Sequence, residues 1–348
     1  MLAEELDFVI GVDTHKDVHA LAIVSAPTGG VLHEAALPAS AKGYVEALRL
    51  AGANAPGRRA FAIEGTGSYG AGLARFLADH GERVLEVSRL PRQGGRSRAK
   101  TDSLDAIRAA RSVLGSEKIA QPRAGGSREE LRALVVCREG ALQAKRAGLC
   151  QLRDLLLCAP PALREELGSL SRARLLRRLS QLRPEGRRDT GAKGSLLALR
   201  LCARRIQALT REERELAQEI RALVARCAPE LLAEPGVGPV SAAKILLSWS
   251  HRGRLRSEAA FARLGGAAPI PASSGKLVRY RLDPGGDRQL NRALHTIVLS
   301  RRKIHPPTIA YVERRTREGK TTREAIRCLK RYLNRHLFRV LERSAVAA

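Results

Sequence analysis

The order of apolar runs over the first 118 residues constrains the fold more than any other feature of the chain. Residues 8–12 and 20–24 are short apolar strands joined by the polar stretch 13–19, and Gly29 with Gly30 marks a turn before a third run at 31–37. Three consecutive antiparallel strands follow from that spacing. Residues 44–51 then carry a helical pattern, 59–63 form another apolar strand, 70–80 a helix and 84–87 a strand. This β-β-β-α-β-α-β succession predicts an RNase H-like mixed sheet. It disfavours a dinucleotide-binding fold, whose first strands alternate with helices.

Beyond that region the pattern changes period. Residues 127–227 are helical and strongly charged, and Leu199, Cys202, Ile206, Leu209, Leu216, Ile220, Leu223 and Cys227 advance in alternating steps of three and four, with Glu213 occupying one slot of the stripe. Such a coiled-coil seam closes either on a helix of its own chain or on a second copy, and the sequence leaves both open. Residues 183–195, rich in Gly, Arg and Lys, read as a mobile loop. A third unit begins near Pro229. There Pro235, Gly236, Val237, Gly238 and Pro239 followed by 240–249 read as the turn and second helix of a helix-hairpin-helix, which would offer backbone N–H groups to a DNA phosphate. A tight glycine turn between packed helices is the plainer alternative. Residues 321–341 alternate apolar and basic side chains at helical spacing, an amphipathic helix with a solvated basic face. The expected fold is therefore multidomain α/β plus α: an RNase H-like domain over 1–118, a helical coiled-coil region over 119–228 and a mainly helical domain over 229–348.

Charge selects the partner. Lys and Arg number 62 against 35 acids, a net +27, which implies a polyanion, DNA above all. Ribosomal and histone-like proteins are also basic, but they are usually shorter and need no particular arrangement of acids. The six cysteines form no C-x-x-C pair, so neither a zinc site nor a disulfide framework is indicated. Glu4, Glu5 and Asp7 stand where a secretion signal would be basic, and no run approaches the ~18 apolar residues of a membrane span. The expectation is a cytoplasmic protein, associated with the nucleoid when active and without a membrane partner.

Within this basic chain four acids are placed suggestively. Asp13 follows the strand 8–12 and Glu64 follows the strand 59–63, so both stand at strand ends. Asp102 and Asp105 are three residues apart at the start of a helix and share one face. Taken singly, each could cap a loop or favour a helix N-terminus. Jointly, four carboxylates suit oxygen-preferring Mg²⁺, and two such ions roughly 3.5–4 Å apart stabilise the attacking and leaving oxygens of phosphodiester chemistry. Arg96, Arg98 and Lys100, just before Asp102, supply basic groups for the phosphate.

The blocks Gly11-Val12-Asp13-Thr14-His15-Lys16-Asp17, Ile63-Glu64-Gly65-Thr66-Gly67-Ser68-Tyr69 and Lys100-Thr101-Asp102-Ser103-Leu104-Asp105-Ala106 resemble those carrying the D-E-D-D tetrad of the insertion sequence 110 family of transposases. Pro235-Gly236-Val237-Gly238-Pro239, Gly265-Gly266-Ala267-Ala268-Pro269, Ser273-Ser274-Gly275-Lys276 and the run from Gly285 to Leu294 resemble that family's second domain. The blocks keep the family's order across nearly the whole chain. The resemblance implies a RuvC-like N-terminal domain, a coiled-coil dimerisation region and a C-terminal domain with a catalytic serine. It also implies a homo-oligomer, dimer or tetramer, and a structured bridge RNA that chooses donor and target DNA. From the residues alone Ser273-Ser274-Gly275 is an ordinary turn; the family's serine precedes a glycine, which favours Ser274 as nucleophile with Ser273 as alternative. Lys276, Arg279, Arg281 and Arg288 would then face the phosphate. A RuvC-like junction resolvase that hydrolyses DNA and a non-enzymatic basic nucleic-acid-binding protein are the competing readings.

Overall fold

The computed structural model describes residues 1–87, 101–115, 121–123, 125–183, 190–271, 280–281, 283 and 285–344, with the backbone alone described at 162, 190–192 and 281. The chain divides into two compact units, one comprising Met1–Gly125 with Ser250–Arg256 and the other Gly126–Trp249 with Ser257–Ala348. The helical middle and the C-terminal region therefore share one unit.

The first unit holds α1 (Leu2–Glu5), β1 (Phe8–Thr14), β2 (Val18–Ser25), β3 (Val31–Pro38), α2 (Ala41–Asn54), β4 (Arg59–Glu64), α3 (Ala71–Asp79), β5 (Val84–Val87) and α4 (Asp102–Leu114). The strands form one mixed sheet in the order β3-β2-β1-β4-β5. β1, β2 and β3 pair antiparallel, while β1–β4 and β4–β5 pair parallel. Strand alternation sorts the residues onto two faces. Ile10, Val12, Phe61 and Ile63 pack with Ala47, Ala51, Leu73 and Leu77 from α2 and α3. Val9, Ala60 and Ala62 pack with Ala109, Ala110 and Val113 of α4.

Gly11 fixes how closely α4 lies on that second face. A Cβ there would sit 2.0 Å from the Ala106 carbonyl oxygen and 2.9 Å from the Ala110 Cβ, so only a glycine permits the contact. In the segment Ser250–Arg256, the guanidinium of Arg254 lies 3.6 Å from the Glu86 carboxylate and His251 Nε2 lies 3.1 Å from the Pro122 carbonyl oxygen.

The second unit contains α5 (Ser127–Leu157), α6 (Pro161–Gly168), α7 (Arg172–Ser180), α8 (Thr190–Cys227), α9 (Pro229–Ala233), α10 (Pro239–Trp249), α11 (Glu258–Leu264), the two-stranded β6 (Ile270–Pro271) and β7 (Tyr280–Arg281), α12 (Arg288–Ile304), α13 (Pro306–Arg317) and α14 (Thr322–Ser344). The seam of α8 packs within the chain. Leu199, Cys202 and Ile206 are buried against Leu152 of α5 and Leu163, Leu167 and Leu179 of α6 and α7. Farther along, Ile220 and Leu223 are buried, Leu209 and Leu216 are half-buried and Cys227 is exposed. Glu213 is explained as well: Arg138 of α5 donates to it at 2.7 Å and Lys145 of α5 pairs with it, so the polar slot meets two cations.

Two expectations change. Residues 190–195 belong to α8, because a helical stripe that starts at Leu196 is supported by one more turn before it; 184–189 lie outside the described residues. The basic face of the last helix is not simply solvated: Lys330 is only 6% exposed and Arg335 pairs with Glu258 of α11.

Candidate active site

The carboxylates arise from two periodicities meeting at Gly11. In the parallel pair, Val12 is opposite Ile63, so Asp13 and Glu64 are the next residues on each strand and turn to the other face, the α4 side shared with Gly11 and Ala62. Asp13 lies inside β1 rather than just beyond it, and Glu64 is the last residue of β4. The Thr14 hydroxyl donates to the Glu64 carbonyl oxygen at 2.8 Å and ties the two strand ends together. On the helix, Asp102, Ala106 and Ala110 recur every four residues and form one stripe. Ala106 and Ala110 rest on Gly11, and the stripe therefore delivers Asp102 toward Asp13. The side chain of Thr101 caps α4, accepting from the Leu104 N–H at 3.3 Å.

His15 completes the cluster. Its Nε2 is 3.1 Å from Asp13 Oδ2 and 3.4 Å from Asp102 Oδ1. One ligand atom from each of the three lies within 4.8 Å of the others. Only 14% of the Asp13 side chain is exposed, against 62% for Asp102, so the site is a shielded acid opening onto an accessible one. Among the described residues neither acid is paired with a lysine or arginine. Two carboxylates and an imidazole form a donor set that fits a divalent cation.

The structure gathers Asp13 and Asp102 but does not bring Glu64 and Asp105 into the same close set. Asp105 pairs with Arg108 at 2.7 Å, one turn along α4. His15 was not singled out from the sequence, although its position two residues after Asp13 at a strand end placed it on the same face.

The residues expected to contact nucleic acid are distributed differently. Arg96, Arg98 and Lys100, and Ser273, Ser274, Lys276 and Arg279, lie outside the described residues. The strands β6 and β7 bracket the serines in sequence, with Ile270 opposite Arg281 and Pro271 opposite Tyr280. Arg288 is the exposed first residue of α12. Gly236 has φ +75°, and a Cβ there would sit 3.1 Å from Arg301 Cγ and 3.2 Å from the Ile297 carbonyl oxygen. Its first role is to seat the turn on α12, where Arg301 also donates to the Pro235 carbonyl at 2.7 Å. Gly238 is exposed with open space around its Cα, and its carbonyl accepts from Ala242 at 2.9 Å in the first turn of α10. Of the two glycines, Gly238 is the accessible one.

Comparison with known proteins falls on these same regions. Residues 10–161, which contain all four acids, match a DEDD transposase model named for IS110, and residues 228–313 match the model described as the transposase IS116/IS110/IS902 family. A protein of Streptomyces coelicolor described as the insertion element IS110 uncharacterized 43.6 kDa protein is 31% identical over 139 residues, 39% of this chain. That match spans 34%, about a third, of the relative's length. No helix among the described residues is long and apolar enough to cross a membrane.

Proposed function

Since the chain belongs to the IS110 family of transposases, we propose that it is a metal-dependent recombinase that cuts and rejoins DNA. The observation that carries this reading is the convergence of Asp13 and Asp102, from a strand and a helix, with no lysine or arginine pairing them among the described residues of a chain of net charge +27. Isolated acids in so basic a protein would be expected to find guanidinium partners. The sheet order, three antiparallel strands followed by two parallel ones, supports an RNase H-like, RuvC-like reading of the N-terminal unit.

Asp13, Asp102 and His15 would hold Mg²⁺, with Glu64 and Asp105 as the remaining acids of the tetrad, which would join them in a two-metal arrangement. A bound ion supplies neutralisation of charge on the scissile phosphate. Ser274, with Ser273 as alternative, is the proposed nucleophile. Its Oγ forms a bond to phosphorus as the bond from phosphorus to one DNA strand breaks, and the departing strand's oxygen takes up a proton. Attack by a hydroxyl of a second DNA end then breaks the Oγ–P bond and restores the serine, so the strand is rejoined without ATP. Arg96, Arg98, Lys100, Lys276, Arg279, Arg281 and Arg288, and the N–H groups near Gly236 and Gly238, are proposed to hold the phosphate backbone.

The proposal further assigns catalysis to 1–118, dimerisation or tetramerisation to 119–228 and the serine to 229–348, with a bridge RNA as guide and the nucleoid as the place of action. Denaturing electrophoresis of labelled DNA after incubation with Mg²⁺ tests it. A protease-sensitive shifted band in wild type, absent in Ser274→Ala, is expected. Cleavage without an adduct indicates a hydrolytic nuclease, and binding without cleavage a non-enzymatic protein.

A further inference from the structure

A cavity of about 480 Å³ lies in the second unit, within the roughly 300–1,000 Å³ typical of ligand sites. It is built on a close crossing of two glycine turns. A Cβ on Gly286 would fall 2.5 Å from the Gly266 nitrogen, and the chain leaving Gly266 forms one wall. The others carry Tyr280 of β7, Lys320, and Arg327, Lys330, Arg331 and Tyr332 of α14.

The walls carry more cations than acids: Arg315, Lys320, Arg327, Lys330 and Arg331 stand against the single carboxylate of Glu324, and Arg315 pairs with Glu318 outside the lining. Among the described residues none of Lys320, Arg327 and Arg331 forms an ion pair. Glu324 is held by a capping box at the start of α14, where the N–H and hydroxyl of Thr321 both donate to its Oε2 at 2.8 Å, and it offsets only part of the charge of Lys320 and Arg327, with which it interacts without a direct ion pair. Lys330 is 6% exposed, and its Nζ donates to the neutral Asn291 Oδ1 at 2.5 Å. Asn291 in turn donates to the Gly265 carbonyl at 2.7 Å, which fixes the acceptor. Burial pushes the Lys330 ammonium below the usual lysine range. A shielded cation facing only a neutral partner is stabilised by an incoming anion.

The same walls present aromatic faces to solvent. Tyr332 is 58% exposed and Tyr280 56% exposed. Tyr311 meets the Tyr332 ring edge-on, with centroids 6.1 Å apart. Exposed aromatics among lysines and arginines are the chemistry that binds unpaired nucleotides, because a base offers its π-face only when it is out of the duplex. We propose that this pocket holds one unpaired DNA nucleotide, with its phosphate on Arg327, Lys330 and Arg331 and its base against Tyr332. Only the choice of DNA over RNA rests on the function proposed above.

Fluorescence anisotropy of the full chain with a short labelled oligothymidylate, in EDTA so that no metal-dependent chemistry contributes, tests the pocket separately from the serine and the acids. Tyr332→Ala is expected to raise Kd roughly tenfold for the single strand and to leave duplex binding unchanged, with Tyr332→Phe behaving as wild type. Arg327→Gln, at an exposed position, is expected to reduce the salt dependence of single-strand binding by roughly 0.7 in log–log slope. Equal losses on duplex and single strand, or no loss with either variant, overturn the nucleotide site. Tighter binding of the matching RNA with the same Tyr332 dependence overturns the assignment to DNA.

Discussion

Asp13 in the first unit and Glu139 in the second are shielded to the same degree, with 14% of each side chain exposed, yet the chain treats them in opposite ways. Glu139, on α5, receives Lys244 of α10 at 2.5 Å and Arg292 of α12 at 3.4 Å. Burial alone would raise its carboxyl pKa, but Lys244 first, then Arg292 and Arg138, hold it below the usual value. Asp13 has His15 at 3.1 Å and, through it, another carboxylate. One acid is neutralised by the fold and knits three helices together. The other is kept available beside a second acid, a like-charge arrangement that a cation from solution relieves. Shielding by itself therefore says nothing about function; the identity of the neighbours does.

The sharpest way to break this comparison is to remove each carboxylate. Asp13→Asn and Asp102→Asn are expected to reduce Mg²⁺-dependent strand cleavage by at least about a hundredfold, with DNA affinity nearly unchanged because affinity comes from Lys and Arg through counterion release. Mn²⁺ binding followed by electron paramagnetic resonance should weaken in parallel. Retention of full cleavage and Mn²⁺ affinity by both variants would remove the metal site. Glu139→Gln should do the reverse, leaving metal affinity intact while destabilising the second unit by about 2–4 kcal/mol, since Lys244, 6% exposed, loses its counter-charge. Chemical denaturation checks this, and an unchanged midpoint would mean that the pair adds nothing.

Gly11→Val probes how the sheet creates the first site. The new side chain would meet the Ala106 carbonyl, so α4 must lift, at a cost of about 1–3 kcal/mol or more. Because Asp102 rides on that helix, Mn²⁺ affinity should fall although no ligand has been changed. Loss of stability with unaltered Mn²⁺ binding would show that Asp102 reaches the site by another route.

Much of the first unit was legible because period-2 alternation both identifies a strand and assigns its faces. The sequence placed β5 at Val84–Val87 and put Asp13 and Glu64 within a residue of their observed positions. His15 escaped because a histidine in a polar turn carries no pattern of its own; only its offset of two from Asp13 marked it. The helical unit was less legible. The α8 stripe announced a seam but not its partner, since a helix of the same chain and a helix of another copy present identical periodicity. Lys330 read as one more solvated base, because burial of a lysine depends on Asn291, far away in sequence. The glycine crossing at Gly266 and Gly286 is likewise a contact between two distant turns, and local pattern does not encode it.

The seam that remains half-buried offers a smaller test. Leu209 and Leu216 flank Glu213 on α8 and retain partial exposure beside the packed stripe. If the proposed oligomer uses this surface, Leu209→Lys with Leu216→Lys should lower the mass measured by light scattering, with little loss of helix by circular dichroism. A monomer before and after the change confines the seam to its contacts within the chain.

The smallest effect expected is a pH dependence that separates the sheet from its acid cluster. His19 of β2 is 2% exposed and its ring lies parallel to that of Tyr44, with centroids 6.0 Å apart. Burial, reinforced by repulsion from His15, pushes its pKa below the usual 6.5. The folded protein therefore binds a proton at His19 less readily than the unfolded chain does. Its contribution to stability is complete above pH 6.5 and is lost as the pH falls below that value toward the depressed folded pKa. Glu139 has the same sign at lower pH, its contribution being present above the ordinary carboxyl value and lost in stronger acid. Replacing His19 with Phe keeps an aromatic ring beside Tyr44 and removes the proton site, so the melting temperature of the variant should decline less than that of wild type between pH 7 and mildly acidic conditions, roughly pH 5. Because His19 lies on the sheet face opposite the acids, Mn²⁺ affinity at neutral pH should not change. Parallel melting curves for the two proteins across that interval would assign the acid sensitivity of the sheet to groups other than His19.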